Sequence, residues 1–265
     1  MNIFLHELKA YRKSTIIWTC SLAALAVMYI FIFAALGNDI GKFQEFIGRL
    51  PDVARKALSI FAESLSTLQG FYALVFVYVV LCGAIQAMNL GTSIISKEVR
   101  DKTADFLLSK PVSRVKIVTC KLLAAVTSLV ITNILYILIT SFVAMNIKSE
   151  SFNLKVLLMI SGTLFFVQLI FMSLGFIVSV IVPKIKSVIS VSLVTVFGFF
   201  IAGMIGSIIG EKAVRYITPF KYFDLEYIIK NASYETPFIV LSIVIVAAAI
   251  SASYFIYSKK DIHAV

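Results

Sequence analysis

The sequence predicts an all-α integral membrane protein, and three observations lead to that fold class. Hydrophobic residues make up 60% of the 265 residues, charged residues make up 14%, and the mean hydropathy is +0.98. A soluble domain carries about 45–50% apolar and about 25% charged residues. The apolar residues fall in six continuous runs of membrane-span length, not in the roughly ten-residue alternating segments of a β-barrel.

Six spans are predicted, because a helix needs about 20 mainly apolar residues to cross the bilayer. They cover residues 16–36, 71–95, 122–144, 156–182, 188–209 and 237–257 of a single transmembrane domain over residues 1–265. None of the six spans contains Asp, Glu, Lys or Arg. The first run exceeds the roughly 7–15 apolar residues of a signal peptide, so we interpret it as a retained span.

The connecting segments predict that both termini face the cytoplasm. With the N-terminus inside, 14 of the 24 Lys and Arg residues lie in inner segments, against 5 of the 14 acidic residues. The net charge is then +9 inside and +1 outside. An excess of Lys and Arg in short inner loops sets orientation, which favours the N-in, C-in topology. It also accounts for the net charge of +10 without a basic nucleic-acid-binding face.

The first outer segment, residues 37–70, contains two apolar stripes at helical spacing with Pro51 between them. The stripes consist of Phe43, Phe46, Ile47 and Leu50, followed by Ala54, Ala57, Leu58 and Phe61. This pattern predicts two amphipathic helices. They either lie at the outer headgroup level or form a lid that contacts an amphipathic substrate.

The last outer segment, residues 210–236, is rich in aromatic side chains. These are Tyr216, Phe220, Tyr222, Phe223, Tyr227 and Tyr234. Aromatic residues at a membrane interface ordinarily form an anchoring belt. A surface from which a substrate leaves is the alternative interpretation.

The sequence contains no motif for nucleotide chemistry or intramembrane catalysis. It has neither GxxxxGK[ST] nor GxGxxG, and the spans contain neither the His nor the Asp that intramembrane proteolysis uses. Its three cysteines show no paired spacing, and its two histidines lie near opposite termini. We therefore expect no metal site and predict that the chain itself is not an enzyme.

The most polar side chains in the spans are four neutral amides, Gln86, Asn89, Asn133 and Gln168. Such residues serve as hydrogen-bond partners between helices, or they line a cavity or a dimer interface. An ion-coupled transporter usually keeps an ionisable group near the midplane. The charge-free spans disfavour that class, so the energy for any uphill transport would come from elsewhere.

The inner loop after the second span, residues 96–121, predicts a short amphipathic helix. Its apolar side consists of Val99, Thr103, Phe106 and Leu107. Pro111 would end this helix, and Ser113 would cap the helix that becomes the third span. Such a helix either fits the groove of a partner or belongs to a basic loop that serves only topology.

The residues of this loop resemble the signature of ABC-2 type permeases, the membrane subunits of ATP-binding-cassette exporters. The matching positions are Glu98, Lys102-Thr103, Leu107-Leu108, Pro111-Val112-Ser113-Arg114 and Lys121. Residues 216–224 and 259–262 are similar to the segment before the last span and to the cytoplasmic end of these permeases. Residues 4–13, with His6, Glu7 and Arg12, are similar to the family's interfacial helix before the first span.

The resemblance implies that separate subunits form the membrane-spanning permease and the ATPase. Two six-helix permeases, identical or paired with a sister subunit, would bind two separate ATPase subunits that hold ATP and Mg²⁺, and this chain would hold no cofactor. The coupling helix in the inner loop would dock on the ATPase, and the docking candidates are Glu98, Arg100, Asp101, Phe106 and Leu107. Arg114 and Lys121 would tie the loop to headgroups or to the next helix. We further hypothesise that the first span and the Gln86–Asn89 part of the second span line the permease–permease interface.

The resulting hypothesis is a permease of the plasma membrane, in a bacterium or archaeon, in contact with membrane lipid. We expect it to export an amphipathic or hydrophobic cargo, such as an antimicrobial or toxic peptide. The alternative is a non-transporting membrane sensor or scaffold that grips a soluble partner through the inner loop. An ion-coupled transporter ranks third.

Overall fold

A computed structural model describes residues 3–57, 65–101, 112–147, 152–182, 184–210 and 212–259. Within these ranges there are ten α-helices and no strand, which confirms the all-α fold class. The helices are α1 (Ile3–Leu36), α2 (Ile40–Gly48), α3 (Asp52–Ala57), α4 (Leu68–Arg100), α5 (Arg114–Asn146), α6 (Leu154–Ile181), α7 (Val188–Ile209), α8 (Lys212–Ile217), α9 (Leu225–Asn231) and α10 (Thr236–Lys259).

Six helices, α1, α4, α5, α6, α7 and α10, are long and apolar enough to cross a membrane. Each contains one predicted span, apart from one residue at the end of α6. With 34, 33 and 33 residues, α1, α4 and α5 are about 50 Å long, whereas the hydrocarbon core is about 30 Å thick. They therefore extend beyond the core, and their additional turns carry charged residues.

The segment expected to be an interfacial helix, residues 4–13, continues into the first span as part of α1. Its placement at the interface stays a prediction, as does the N-in, C-in orientation. At the start of α5 the expected cap is confirmed, because Ser113 Oγ accepts a hydrogen bond from the Lys116 backbone N–H at 3.3 Å.

The centre of the bundle is the contact between α4 and α6. Their apolar stretches are 67% and 61% buried, against 22% for α7 and 17% for α10. Glycines let the two backbones touch: a Cβ added at Gly91 of α4 would lie 2.2 Å from the Met172 carbonyl oxygen. Similarly, a Cβ at Gly175 of α6 would lie 2.7 Å from the Met88 carbonyl oxygen. Small residues allow this approach, which increases van der Waals contact between helices in a membrane.

The first outer segment forms the two helices α2 and α3 on either side of Pro51, as the apolar stripes predict. Ile47 is buried and Phe46 is exposed, and α3 packs against α7. Leu58 and Phe61 of the second stripe lie outside the described residues. The position of these helices at the headgroups and their alternative role as a lid both stay predictions.

The last outer segment folds back into the bundle. Thr218 and Pro219 are buried, and the Phe220 ring centroid lies 5.5 Å from that of Phe200. Because Phe200 precedes the end of α7 by nine residues, this contact lies about 14 Å along the helix from its outer end. Tyr222 and Phe223 are also buried. Phe220, Tyr222 and Phe223 thus pack into the bundle, whereas Tyr216 and Tyr227 are exposed, so the anchoring belt and the exit surface stay predictions for the exposed pair.

Gly91→Ala tests the α4–α6 contact. The new methyl group meets a backbone carbonyl that cannot rotate away, and overpacking of this kind costs about 1–3 kcal/mol. We expect a lower thermal melting temperature of the purified protein in detergent. Gly198→Ala is the matched control, because nothing lies within 4 Å of a Cβ added there. Equal melting temperatures for the two variants would contradict the close packing.

Candidate functional site

Four buried or half-buried charged side chains form a group at the end of the bundle that the sequence predicts to face the cytoplasm. This charge cluster consists of Glu7 of α1, Lys97 and Glu98 of α4, and Lys121 of α5. Lys121 Nζ lies 3.1 Å from Glu7 Oε1 and 2.5 Å from Glu98 Oε1. Lys97 Nζ lies 2.5 Å from Glu7 Oε2. The cluster therefore joins three helices through charge pairs.

Lys121 lies at the centre of the charge cluster. Only 1% of Lys121 and 2% of Glu7 is exposed. The Lys121 ammonium group also donates to the Ile94 carbonyl oxygen at 2.6 Å. Its three N–H groups therefore have three acceptors. Two ammonium groups and two carboxylates cancel in charge, which meets the requirement that buried charges be paired.

Helical spacing explains why α1 and α4 meet at more than one point. Tyr11 follows Glu7 by four residues, and Ser93 precedes Lys97 by four, so each pair lies on one face of its helix. The Tyr11 hydroxyl lies 2.9 Å from Ser93 Oγ. Lys97 Nζ also lies 5.6 Å from the centroid of the Tyr11 ring. The two helices are thus joined over two successive turns.

The end of α10 joins the same region through the first turns of α5. Thr119 Oγ1 lies 2.8 Å from the Tyr254 hydroxyl oxygen. Arg114 Nη1 donates to the Ser258 carbonyl oxygen at 3.4 Å. The resemblance predicts that Arg114 ties the loop to headgroups or to the next helix. In the structure, Arg114 contacts the last helix, α10.

The residues proposed to dock on an ATPase differ in their surroundings. Glu98 points into the charge cluster, whereas Arg100 and Asp101 lie on the surface and pair with each other, with 3.3 Å between Arg100 Nε and Asp101 Oδ1. Phe106 and Leu107 lie outside the described residues. The docking assignment stays a prediction for all five.

Three of the four amides form one hydrogen-bonded chain inside the protomer. Gln168 Nε2 donates to Gln86 Oε1 at 3.0 Å, and Asn133 Nδ2 donates to Gln168 Oε1 at 2.6 Å. Gln86 Nε2 then donates to Thr132 Oγ1 at 3.1 Å, and Thr132 accepts from Thr19 at 3.0 Å. This series of hydrogen bonds joins α6, α5, α4 and α1, as polar residues between helices do in membranes.

The fourth amide, Asn89, is half-buried on α4. Its assignment to a cavity or to the permease–permease interface stays a prediction. Gln86 is 4% exposed within the single protomer, so it lies within the bundle and not on its surface. An interface at this level would have to involve the outward-facing residues of α4.

The central pairing of the charge cluster was missed from the sequence. Glu7 was assigned to an interfacial helix, and Lys121 was expected to bind headgroups or the next helix, whereas it binds α1 and α4. The signal was the position of Lys121, directly before an uncharged span. A long side chain there either reaches the headgroups or finds a buried carboxylate.

The described part of the chain contains no group of three or more His, Cys, Asp or Glu residues that could hold a metal ion. Cys20, Cys82 and Cys120 are free thiols.

Lys121→Met tests the charge cluster. It leaves Glu98 without its ammonium partner and leaves Glu7 with Lys97 alone. Removing one partner of a buried pair costs about 3–5 kcal/mol, so we expect a strongly lowered melting temperature in detergent. Lys116→Met is the control, because Lys116 is exposed on the same helix. Equal melting temperatures for Lys121→Met and Lys116→Met would contradict a role of Lys121 in joining the helices.

A known protein family matches almost the whole chain. The family described as ABC-2 family transporter protein matches residues 1–262. A search of curated proteins finds no match. The match covers nearly the whole chain, including all six spanning helices and the charge cluster. The chain is therefore a multi-pass membrane protein that belongs to the ABC-2 family of transporters.

Proposed function

We propose that the chain is the permease subunit of an ABC exporter and that a separate ATPase subunit drives it. Membership of the ABC-2 family supports the assignment as a transmembrane permease of an ABC transporter. The sequence has no phosphate-binding loop of its own. ATP and Mg²⁺ would therefore bind in the ATPase subunit, and hydrolysis would take place there.

The charge cluster is the observation that supports coupling to such a partner. α4 ends at Arg100, two residues after Glu98, and α5 begins at Arg114, seven residues before Lys121. Glu98 and Lys121 are paired, so the helix ends on both sides of the connecting loop are tied together. Glu7 joins the same ammonium group. A force applied to this loop is therefore applied to α1, α4 and α5 together.

The central position of α4 supports transmission of that force through the bundle. This helix runs from the cluster to the outer end of the bundle, and it is the most buried of the spans. Along its length it is joined to α6 by the glycine contacts and by the Gln86–Gln168 hydrogen bond. Closure of an ATPase dimer against the loop would move α4 and α6 as one body, as in hinge and shear motions.

The proposed assembly contains two permeases and two ATPase subunits in a bacterial or archaeal plasma membrane. The second permease is either a copy of this chain or a sister subunit. The spans α1, α7 and α10 are less than one third buried within the protomer. Their apolar surfaces are available to lipid and to a second permease.

The proposed cargo is amphipathic or hydrophobic, such as an antimicrobial or toxic peptide. The six predicted spans contain no Asp, Glu, Lys, Arg or His, one of which an ion-coupled carrier usually keeps near mid-membrane. A path lined by neutral side chains suits a cargo that moves from the bilayer more than a small ion. This inference concerns the class of cargo and leaves its identity to experiment.

Phe106→Glu with Leu107→Glu tests the coupling. Loss of one well-buried apolar anchor costs an interface about 2 kcal/mol or more, which is roughly 30-fold in affinity. We expect the partner ATPase to be lost on co-purification. Phe46→Glu provides the control, because it introduces a glutamate at an exposed aromatic position of the outer helix α2. Unchanged co-purification together with full cargo-stimulated ATP hydrolysis would reject the coupling role.

The class of cargo is tested by ATP hydrolysis in reconstituted membranes. Peptides, lipids, uncharged drugs and small ions are added in turn to the complex of permease and ATPase. We expect stimulation by amphipathic peptides and little by small ions. A complex that assembles but never responds to any cargo would favour the sensor or scaffold.

A further inference from the structure

A cavity of about 300 Å³ lies between α4, α6, α7 and the last outer segment. Its apolar walls include Phe76, Val80, Val167, Met204, Phe220 and Phe223. Only 8% of Val80 and 2% of Val167 is exposed. The cavity therefore reaches side chains that the helices shield from the lipid around the protein.

The cavity opens at the depth of the hydrocarbon core. Two lining residues mark the opening, because Tyr78 of α4 is exposed and Met204 of α7 is half-buried. Tyr78 lies seven residues inside the outer limit of its predicted span, and Met204 lies five residues inside the limit of its own. These positions are about 10 Å and about 8 Å along the helices from the outer ends of the spans. The medium next to the opening is therefore the alkyl chains of the bilayer and not water.

The charged side chains beside the cavity are matched within the protein. Arg215 Nη1 donates to Glu235 Oε1 at 3.2 Å, and Arg215 Nε donates to the Lys221 carbonyl oxygen at 3.0 Å. Burial lowers the pKa of the Lys221 amine, the Asp224 carboxylate raises it, and Arg215 lowers it. The two positive and two negative charges of these four residues sum to zero, so the cavity offers no excess charge to a ligand.

The alkyl part of Lys221 adds to the apolar surface. A Cβ added at Gly203 would lie 3.7 Å from Lys221 Cε and Cγ, so the stem of this lysine lies along α7. Long charged side chains often cover apolar surface with their stems in this way. The surroundings of the cavity thus favour an apolar ligand and do not select for its charge.

We propose that one alkyl chain of a bilayer lipid enters this cavity from the outer half of the membrane, whatever the charge of its headgroup. The chain would lie among the aromatic and aliphatic walls, and the headgroup would stay outside the cavity. This role goes beyond the proposed export, because a resident chain would support the packing of the last outer segment on α7 whether or not cargo moves.

An alkyl chain fits the cavity better than water or a folded peptide. A buried water needs about two to four polar partners, whereas an apolar cavity of about 150 Å³ stays dry and takes up apolar molecules. The volume here is at the lower end of the roughly 300–1,000 Å³ found for small-molecule sites, which suits one chain and not a folded peptide. In a membrane, the apolar molecule at the opening is a lipid.

Photolabelling of the unchanged full chain in reconstituted vesicles tests the proposal. Phosphatidylcholine and phosphatidylglycerol are compared, each with a diazirine near the end of one acyl chain, and labelled residues are identified by peptide mass spectrometry. We expect label on Val80 and Val167, to the same extent with both lipids, and no label there from a diazirine in the headgroup. Lipid that only surrounds the protein would label exposed positions such as Val194 of α7, which is 75% exposed.

Met204→Trp tests the opening, because the indole is larger than the side chain that it replaces. We expect loss of label from Val80 and Val167, with label at exposed positions retained. Val194→Trp is the matched control, because it introduces the same side chain on α7 outside the cavity lining. Label that persists on the buried walls of Met204→Trp would contradict entry of the chain beside Met204.

The unchanged protein decides the proposal even if a variant fails to fold. Absence of label from Val80 and Val167, or label from only one of the two lipids, would overturn it. Label on these residues that an added amphipathic peptide removes during ATP-driven turnover of the assembled complex would identify a cargo site, and would also overturn the assignment to a lipid chain.

Discussion

Pairing of the buried ammonium group of Lys121 is the constraint on which the arrangement of the helices depends. A charge removed from water needs partners of opposite sign and hydrogen bonds for its remaining donors. Glu7, Glu98 and the Ile94 carbonyl supply them from α1 and α4. Because each partner lies on a helix about 50 Å long, satisfying one ammonium group sets where three of the six spans meet.

The α4 helix connects this charged end to the rest of the bundle. At mid-membrane, Gln86 continues the polar connection to α6 and to Thr132 of α5. Between these levels, the glycine contact at Gly91 brings the α4 backbone against that of α6. Hydrogen bonds between helices are worth only about 0.6–2 kcal/mol each in a membrane, so several are needed. Together these contacts make α4 and α6 a continuous unit from one end of the bundle to the other.

The outer end of that unit is closed by the last outer segment. Phe220 packs between α6 and α7, with ring centroids 5.1 Å from Phe171 and 5.5 Å from Phe200, and Arg215 holds the segment to the start of α10 through Glu235. The cavity beside Lys221 lies under this segment. Because the cavity lies between α4, α6 and α7, a movement of α4 and α6 relative to α7 would change its shape.

The sequence by itself determined the number of helices long and apolar enough to span a membrane, the break at Pro51 and the cap at Ser113. Each of these depends on neighbouring residues: the length of an apolar run, a missing N–H, or a hydroxyl beside a helix start. The ABC-2 family was also recognisable from the inner loop, and the match over residues 1–262 confirms it. The pairing of Glu7 with Lys121, 114 positions apart, and the packing of Phe220 between α6 and α7 depended on tertiary structure alone. Hydropathy records how apolar a residue's neighbours in the chain are, and only the packed helices decide which distant charge or ring it meets.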